Sequence, residues 1–188
     1  GVYIRLIHYH RSWQLWYSWS RKICKEIMGR KLEYLVLHCT ATPEGRKISS
    51  DTIRKWHTAP KPEGRGWRQV GYSDMIHLDG GLENLTPFNQ DGIVEGWEVT
   101  NGVRGINSVS RHVTYVGGVN KDNTYAKDTR TPEQKDTMEV YVKYMVKRHP
   151  DIKIAGHNQF ASKACPSFDT VEWCKSIGIK DKNINLAK

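Results

Sequence analysis

The order of apolar and polar positions after residue 31 predicts an α/β domain. A short apolar run from Tyr34 to Leu37 ends at His38 and is typical of a buried strand. Further strand-like runs cover residues 70–78, 93–95, 112–116 and 152–155. Helical patterns separate several of these runs, which is the alternation expected of strands and helices in one α/β domain.

Helices are predicted between the strands. Ser49 and Ser50 can cap a helix that continues through Trp56. The longest helix opens at Thr131-Pro132-Glu133, because proline is favoured at the first helical position, and its apolar side chains keep helical spacing up to His149. A short helix over residues 168–177 ends the predicted domain.

Residues 1–29 differ from the rest and are predicted to form an extension to a domain of residues 30–188. Their aromatic and apolar side chains recur at helical spacing with basic residues between them, which indicates an amphipathic basic helix. Two interpretations stay open: a helix that docks on the main domain, or one that binds a membrane surface or a partner. Residues 1–30 contain no uninterrupted apolar stretch and no small-residue cleavage site, so no Sec-type signal peptide is expected there.

Charge and cysteine content narrow the functional classes. Lysines and arginines number 29 against 20 acidic residues, a net charge of +9, which suits an anionic partner or simply a soluble basic surface. No run approaches the roughly 18 apolar residues of a membrane span. The cysteines Cys24, Cys39, Cys165 and Cys174 form no CxxC pair, so we expect reduced thiols, one of them a candidate metal ligand.

A candidate metal site follows from three residues near strand ends. His38 ends the first strand, His157 follows the last, and Cys165 lies in the loop beyond. Two imidazoles and a thiolate are good zinc ligands, and three protein ligands leave a fourth position for water, as hydrolytic zinc sites require. Each residue taken alone is weak evidence, because the chain has eight histidines and a lone cysteine is usually a small core residue.

Five motifs strengthen this interpretation because they occur in a fixed order: His38-Cys39-Thr40-Ala41-Thr42, Val70-Gly71-Tyr72, Tyr115-Val116-Gly117-Gly118, Gly156-His157 and Lys163-Ala164-Cys165-Pro166-Ser167-Phe168-Asp169. Together they resemble the N-acetylmuramoyl-L-alanine amidase family, which includes phage lysozymes of amidase type and the peptidoglycan recognition proteins. The resemblance spans about residues 31–178, and the last motif is the most specific.

The resemblance implies a fold, a cofactor and a reaction. The fold would be a mixed central β-sheet flanked by helices on both faces, with the site in a groove on one side. One Zn²⁺ per chain would be bound by His38, His157 and Cys165. The reaction would be hydrolysis of the amide between N-acetylmuramic acid and L-alanine in peptidoglycan by zinc-bound water, with Tyr72 and Lys163 assisting catalysis.

One loop departs from the family pattern. Phage relatives carry a histidine in the Gly-rich stretch before the Gly-Gly strand, and the corresponding position here is Gly102. Substrate contacts therefore cannot be carried over at this point. Arg104 could contact a stem-peptide carboxylate instead, and a solvated loop arginine is the equally weighted alternative.

Other functional classes fit less well. A binding module of the same fold that does not cut peptidoglycan is the main alternative, but such proteins typically lack the thiolate ligand, and Cys165 is present. A nucleic-acid-binding protein would suit the charge, yet no helix-turn-helix, zinc finger or aromatic RNA-binding motif is found. A glycosidase would need paired carboxylates, for which only Glu95 and Glu98 could be suggested.

We therefore expect a monomeric enzyme whose partner is bacterial peptidoglycan. No nucleic-acid partner and no transmembrane segment are expected. The protein should be made in the bacterial or phage-infected cytoplasm and should act on the cell wall. The sequence leaves open whether it serves phage lysis, wall recycling or attack on rival cells.

Overall fold

A computed structural model describes residues 29–187. The predicted N-terminal helix, apart from Gly29, lies outside these residues. The strands are β1 (Arg30–Lys31), β2 (Tyr34–Cys39), β3 (Thr42–Pro43), β4 (Asp74–Ile76), β5 (Leu82–Asn84), β6 (Ile93–Val94), β7 (Ser110–Tyr115), β8 (Gly118–Val119) and β9 (Lys153–Gly156).

A five-stranded mixed sheet organises the described residues, with the order β5-β4-β7-β2-β9. Strands β4, β7, β2 and β9 are parallel, and β5 adds an antiparallel edge. Strand β2 lies between β7 and β9, so its backbone groups are paired on both sides. Two further strand pairs, β1 with β6 and β3 with β8, lie outside this sheet.

Three α-helices among residues 29–187 begin at capped positions. Helix α1 (Ser50–Thr58) begins where the Ser49 hydroxyl accepts a hydrogen bond from the Thr52 amide. Helix α2 (Pro132–Arg148) begins with a capping box between Thr131 and Gln134, and Pro132 occupies its first turn. Asp169 caps α3 (Thr170–Ser176). None of these helices of residues 29–187 is long and apolar enough to cross a membrane.

The two faces of the sheet are covered by different helices, as the resemblance implied. Alternate side chains of β2, including Leu35 and Leu37, pack with apolar residues of α2 and α3 in the larger core cluster. Ile53 of α1 packs in a second cluster that contains Met75 and Val116. Because side chains alternate across a strand, His38 points to the face opposite Leu37. The face that carries α1 therefore also carries the candidate metal ligand.

The strand predictions differ from the structure at two places. The run 70–78 gives only β4, because the Gly71 amide donates to the His57 ring and the Val70 carbonyl accepts from Asn101. These bonds connect residues 70 and 71 to α1 and to a loop rather than to a neighbouring strand. Strand β5 was not predicted, since Leu82 and Asn84 are exposed at the sheet edge and give no apolar alternation.

A buried ion pair anchors the loop before β7. The Glu98 carboxylate accepts hydrogen bonds from Arg111, at 3.0 Å, and from the backbone amides of Asn89 and Glu95. Neither Glu98 nor Arg111 exposes more than 2 % of its side chain. A carboxylate held in this way cannot reach a substrate, so the Glu95–Glu98 pair does not form a glycosidase site.

Loss of this pair should be strongly destabilising. Glu98→Ala leaves the Arg111 guanidinium buried without its partner, so the free energy of unfolding should fall by about 3–5 kcal/mol. Glu139→Ala is the matched control, because the Glu139–Lys143 pair is exposed and should contribute less than about 1 kcal/mol. Urea denaturation of both variants measures the difference. Equal losses in the two variants would show that Glu98 does not anchor the fold.

Candidate metal centre and active site

The parallel strands bring the three predicted metal ligands together. His38 lies near the carboxyl end of β2, and His157 directly follows β9, which pairs with β2. The loop after β9 returns Cys165 to the same place, with its Sγ 3.8 Å from Nδ1 of His38. The ligand atoms of His38, His157 and Cys165 all lie within 4.8 Å of one another.

Several hydrogen bonds fix the cysteine loop against the sheet. The Cys39 amide donates to Sγ of Cys165 at 3.2 Å, and the Asn158 amide donates to the Cys165 carbonyl at 2.8 Å. The buried Tyr115 hydroxyl donates to the Pro166 carbonyl at 2.7 Å. These contacts join the loop to β2 and β7, so the thiol position is set by the sheet.

The donor set fits a zinc ion. Burial lowers the pKa of His38 well below its ordinary value. Burial and the nearby Lys163 lower the pKa of His157 to about 4. Both imidazoles are therefore neutral at pH 7, which is the form that binds metal. The hydrogen bond with the Cys39 thiol and burial raise the pKa of Cys165, so this thiol would lose its proton on binding the metal and would then complete a set that zinc prefers.

A groove of about 610 Å³ opens beside the three ligands. Its lining includes His38 and His157 together with the side chains His57, Arg65, Trp67, Tyr72, Arg104 and Lys163. A larger cavity of about 750 Å³ lies between α2 and the β4–β5 edge, and its lining contains none of the predicted site residues. We place the chemistry in the smaller groove because only that groove contains titratable groups beside a metal-ligand set.

The other predicted site residues also line this groove. The Tyr72 ring centroid lies 5.2 Å from that of His38, and burial raises the pKa of its hydroxyl, which stays protonated. Lys163 and Arg104 are exposed on the groove walls. The structure thus places Tyr72, Arg104 and Lys163 beside the ligand set, while their roles stay predictions.

Two buried histidines next to the site were not predicted from the sequence. His57 accepts a hydrogen bond from the Gly71 amide and packs against Trp67. His112 of β7 contacts His38 directly. Strand alternation could have indicated the position of His112. Thr114 is opposite His38, and His112 lies two residues before Thr114 on β7, so all three side chains lie on the same face of the sheet.

Comparison with known proteins identifies the family. A family model described as N-acetylmuramoyl-L-alanine amidase matches residues 28–168. The chain belongs to this amidase family. The amidase is 34% identical over 141 residues to the endolysin of Enterobacteria phage K11. The aligned residues cover 74% of this chain and 83% of that endolysin.

Solved structures show the same fold. The amidase LysC from Clostridium intestinale URNW has a TM-score of 0.60 at 19% identity, covering 80% of this chain and 88% of that one. Drosophila PGRP-LB has a TM-score of 0.60 at 18% identity, covering 85% and 89%. The family model and the endolysin relative show that the chain is an N-acetylmuramoyl-L-alanine amidase, and the family match contains all the predicted site residues.

The buried His57 should make the stability of the metal-free amidase depend on pH. Burial, then the charge of Arg65, lowers its pKa to about 4, whereas an unfolded histidine has a pKa of about 6.5. The unfolded chain binds more protons between these values, so this contribution to stability is complete above pH 6.5 and is lost as the pH falls towards 4.

His57→Asn keeps a hydrogen-bond acceptor for the Gly71 amide but cannot titrate. Between pH 7 and pH 5 the wild-type protein should therefore lose about 1–2 kcal/mol more of its free energy of unfolding than the variant does. Denaturant unfolding in the presence of a chelator measures both proteins. Parallel pH dependences would contradict a lowered His57 pKa.

Proposed function

We propose that this amidase hydrolyses the bond between N-acetylmuramic acid and L-alanine of bacterial peptidoglycan with one zinc ion held by His38, His157 and Cys165. The observation that supports the proposal best is the convergence of these three ligand atoms within 4.8 Å, at a groove that also contains Lys163 and Tyr72. When bound, zinc would act as a Lewis acid and would lower the pKa of a water ligand towards about 7.

Lys163 has the charge and position to stabilise the transition state. Hydrolysis of an amide places negative charge on the carbonyl oxygen, and a cationic donor aimed at that oxygen lowers the barrier. Lys163 lies on the groove wall, close enough to His157 to lower its pKa. We assign its ammonium to the carbonyl oxygen of the muramoyl amide.

Tyr72 can act only as a neutral hydrogen-bonding group at physiological pH. Its hydroxyl keeps its proton because burial raises its pKa, so it is not a general base. Next to His38, it can orient water or donate to the developing oxyanion. We assign it the orientation of the reacting groups.

The walls of the groove are suited to an anionic peptide. Arg65 and Arg104 both line it and are exposed, and the stem peptide of peptidoglycan carries carboxylates. A guanidinium can bind a carboxylate through two parallel hydrogen bonds. We propose that Arg104 contacts such a carboxylate, and its exposure leaves it free to do so.

The biological setting is proposed from the endolysin relatives. The similar proteins include endolysins of phages K11 and KP32, so we propose that this amidase also acts on the bacterial cell wall after synthesis in the bacterial or phage-infected cytoplasm. We propose a monomer with residues 30–188 as the catalytic domain and residues 1–29 as an extension. Cys165 favours an enzyme over a binding module, because a protein that only binds peptidoglycan needs no metal thiolate.

The metal and the bond that is cut can be tested together. The purified amidase should contain one zinc per chain and should release intact stem peptides, leaving glycan chains uncut. Cys165→Ser should lose most of its zinc and its activity, whereas Cys174→Ser, at a buried free cysteine that is not one of the three ligands, should retain both. Metal analysis and mass spectrometry of digested muropeptides are the measurements. New reducing sugar ends without free L-alanine amines would contradict the assignment, as would a fully active Cys165→Ser variant.

Kinetics can distinguish transition-state stabilisation by Lys163 from substrate binding by the same residue. Lys163→Ala should keep its zinc and fold but should lower kcat by about 10²–10³, the usual loss when one oxyanion donor is removed. KM should change little, because the stabilised charge exists only after attack begins. Lys175→Ala, an exposed lysine of α3, is the control. Steady-state kinetics that show an unchanged kcat and a raised KM would instead make Lys163 a substrate anchor.

A further inference from the structure

A buried contact between two histidines lies directly behind the ligand set. Nε2 of His38 is 2.9 Å from Nδ1 of His112, and neither side chain is more than 1 % exposed. The two residues are not directly opposite each other in the sheet. His112 is opposite Val36 in the β2–β7 register, which is two residues before His38. The ring of His112 therefore reaches along the sheet face to the first ligand.

The two nitrogens of His38 face different groups. Nδ1 faces Sγ of Cys165 at 3.8 Å, and Nε2 faces His112. If Nδ1 binds a metal, the single proton of a neutral imidazole must be on Nε2. That proton then has an acceptor only if Nδ1 of His112 is unprotonated.

We propose that His112 is a positioning residue for the metal centre: its Nδ1 accepts the Nε2 proton of His38 and so holds the ligand in the tautomer and rotamer that direct Nδ1 to the metal. The inference rests on the zinc site proposed above. It assigns to a neutral imidazole the outer-shell role that a carboxylate, backbone carbonyl or water usually has.

The adjoining loop is shaped to admit this ring. A Cβ atom built on Gly102 would lie 2.3 Å from Nδ1 and 2.4 Å from Cγ of His112. No side chain can occupy position 102 unless His112 moves. Gly102, the residue that departs from the family pattern, has no side chain, and the His112 ring occupies the space that a side chain there would need.

The other nitrogen of His112 indicates that the ring is not there for packing. Nε2 is buried and has no hydrogen-bond partner among residues 29–187. In the tautomer required above, Nε2 carries a proton, and an unpaired buried N–H is unfavourable for stability. A histidine that served only to fill this space would be replaced favourably by an apolar side chain, whereas one that accepts from His38 would not.

Two substitutions separate these roles. His112→Asn offers an oxygen near the position of Nδ1, and His112→Leu fills the space without an acceptor. Zinc affinity, measured by competition with a chromophoric chelator, should stay within about 3-fold of wild type for the first and weaken about 10–100-fold for the second. Gly102→Ala should also weaken zinc binding, because its methyl group displaces the ring. Ser110→Ala is the control on β7 and should bind zinc normally.

Melting of the metal-free variants shows whether each one folds. ¹⁵N spectra of the wild-type imidazoles show which ring nitrogens carry protons. The spectra should show Nε2 of His38 protonated and Nδ1 of His112 unprotonated in the zinc-loaded amidase, and this pair of tautomers tests the hydrogen bond even if a variant fails to fold. Equal zinc affinity of the Asn and Leu variants, or a proton on Nδ1 of His38, would overturn the inference while the zinc site stands. Failure of the wild-type protein to bind zinc would overturn the site and the inference together.

Discussion

The parallel pairing of β2 with β7 on one side and β9 on the other is the constraint on which the site depends. This register fixes where each strand ends, and the side chains that follow those ends meet at one edge of the sheet. His38 comes from the central strand and His157 from the end of β9. The hydrogen bond from Tyr115 of β7 to Pro166 then holds the cysteine loop against the same edge. A shift of one residue in this register would turn His38 to the opposite face.

Burial at this edge has an electrostatic consequence. His38, His57, His112 and His157 all have lowered pKa values, chiefly because burial disfavours the charged imidazole. A cluster of neutral imidazoles can lie close together without repulsion and can offer nitrogen lone pairs to a cation. Positive charge is placed instead on the exposed groove walls, at Arg65, Arg104 and Lys163, where an anionic substrate would arrive.

Much of this arrangement could be predicted from the sequence, and the exceptions have physical reasons. Strand β2 was predicted from its apolar run, and helix α2 from its apolar spacing and from Pro132 at its start. The ligands were selected from eight histidines by motif resemblance, since periodicity does not distinguish them. The predicted strand 70–78 was too long because the Gly71 amide bonds to a side chain. The His38–His112 contact joins residues 74 apart, a distance over which local patterns carry no information.

We propose that His38, His157 and Cys165 hold a zinc ion at the groove. Anomalous diffraction from crystals of the amidase, recorded on both sides of the zinc absorption edge, tests it most directly. We expect one strong difference peak within about 2.0–2.3 Å of a nitrogen of each histidine and of Sγ of Cys165. A zinc-loaded protein without a peak at this position, or with its peak at other residues, would contradict it.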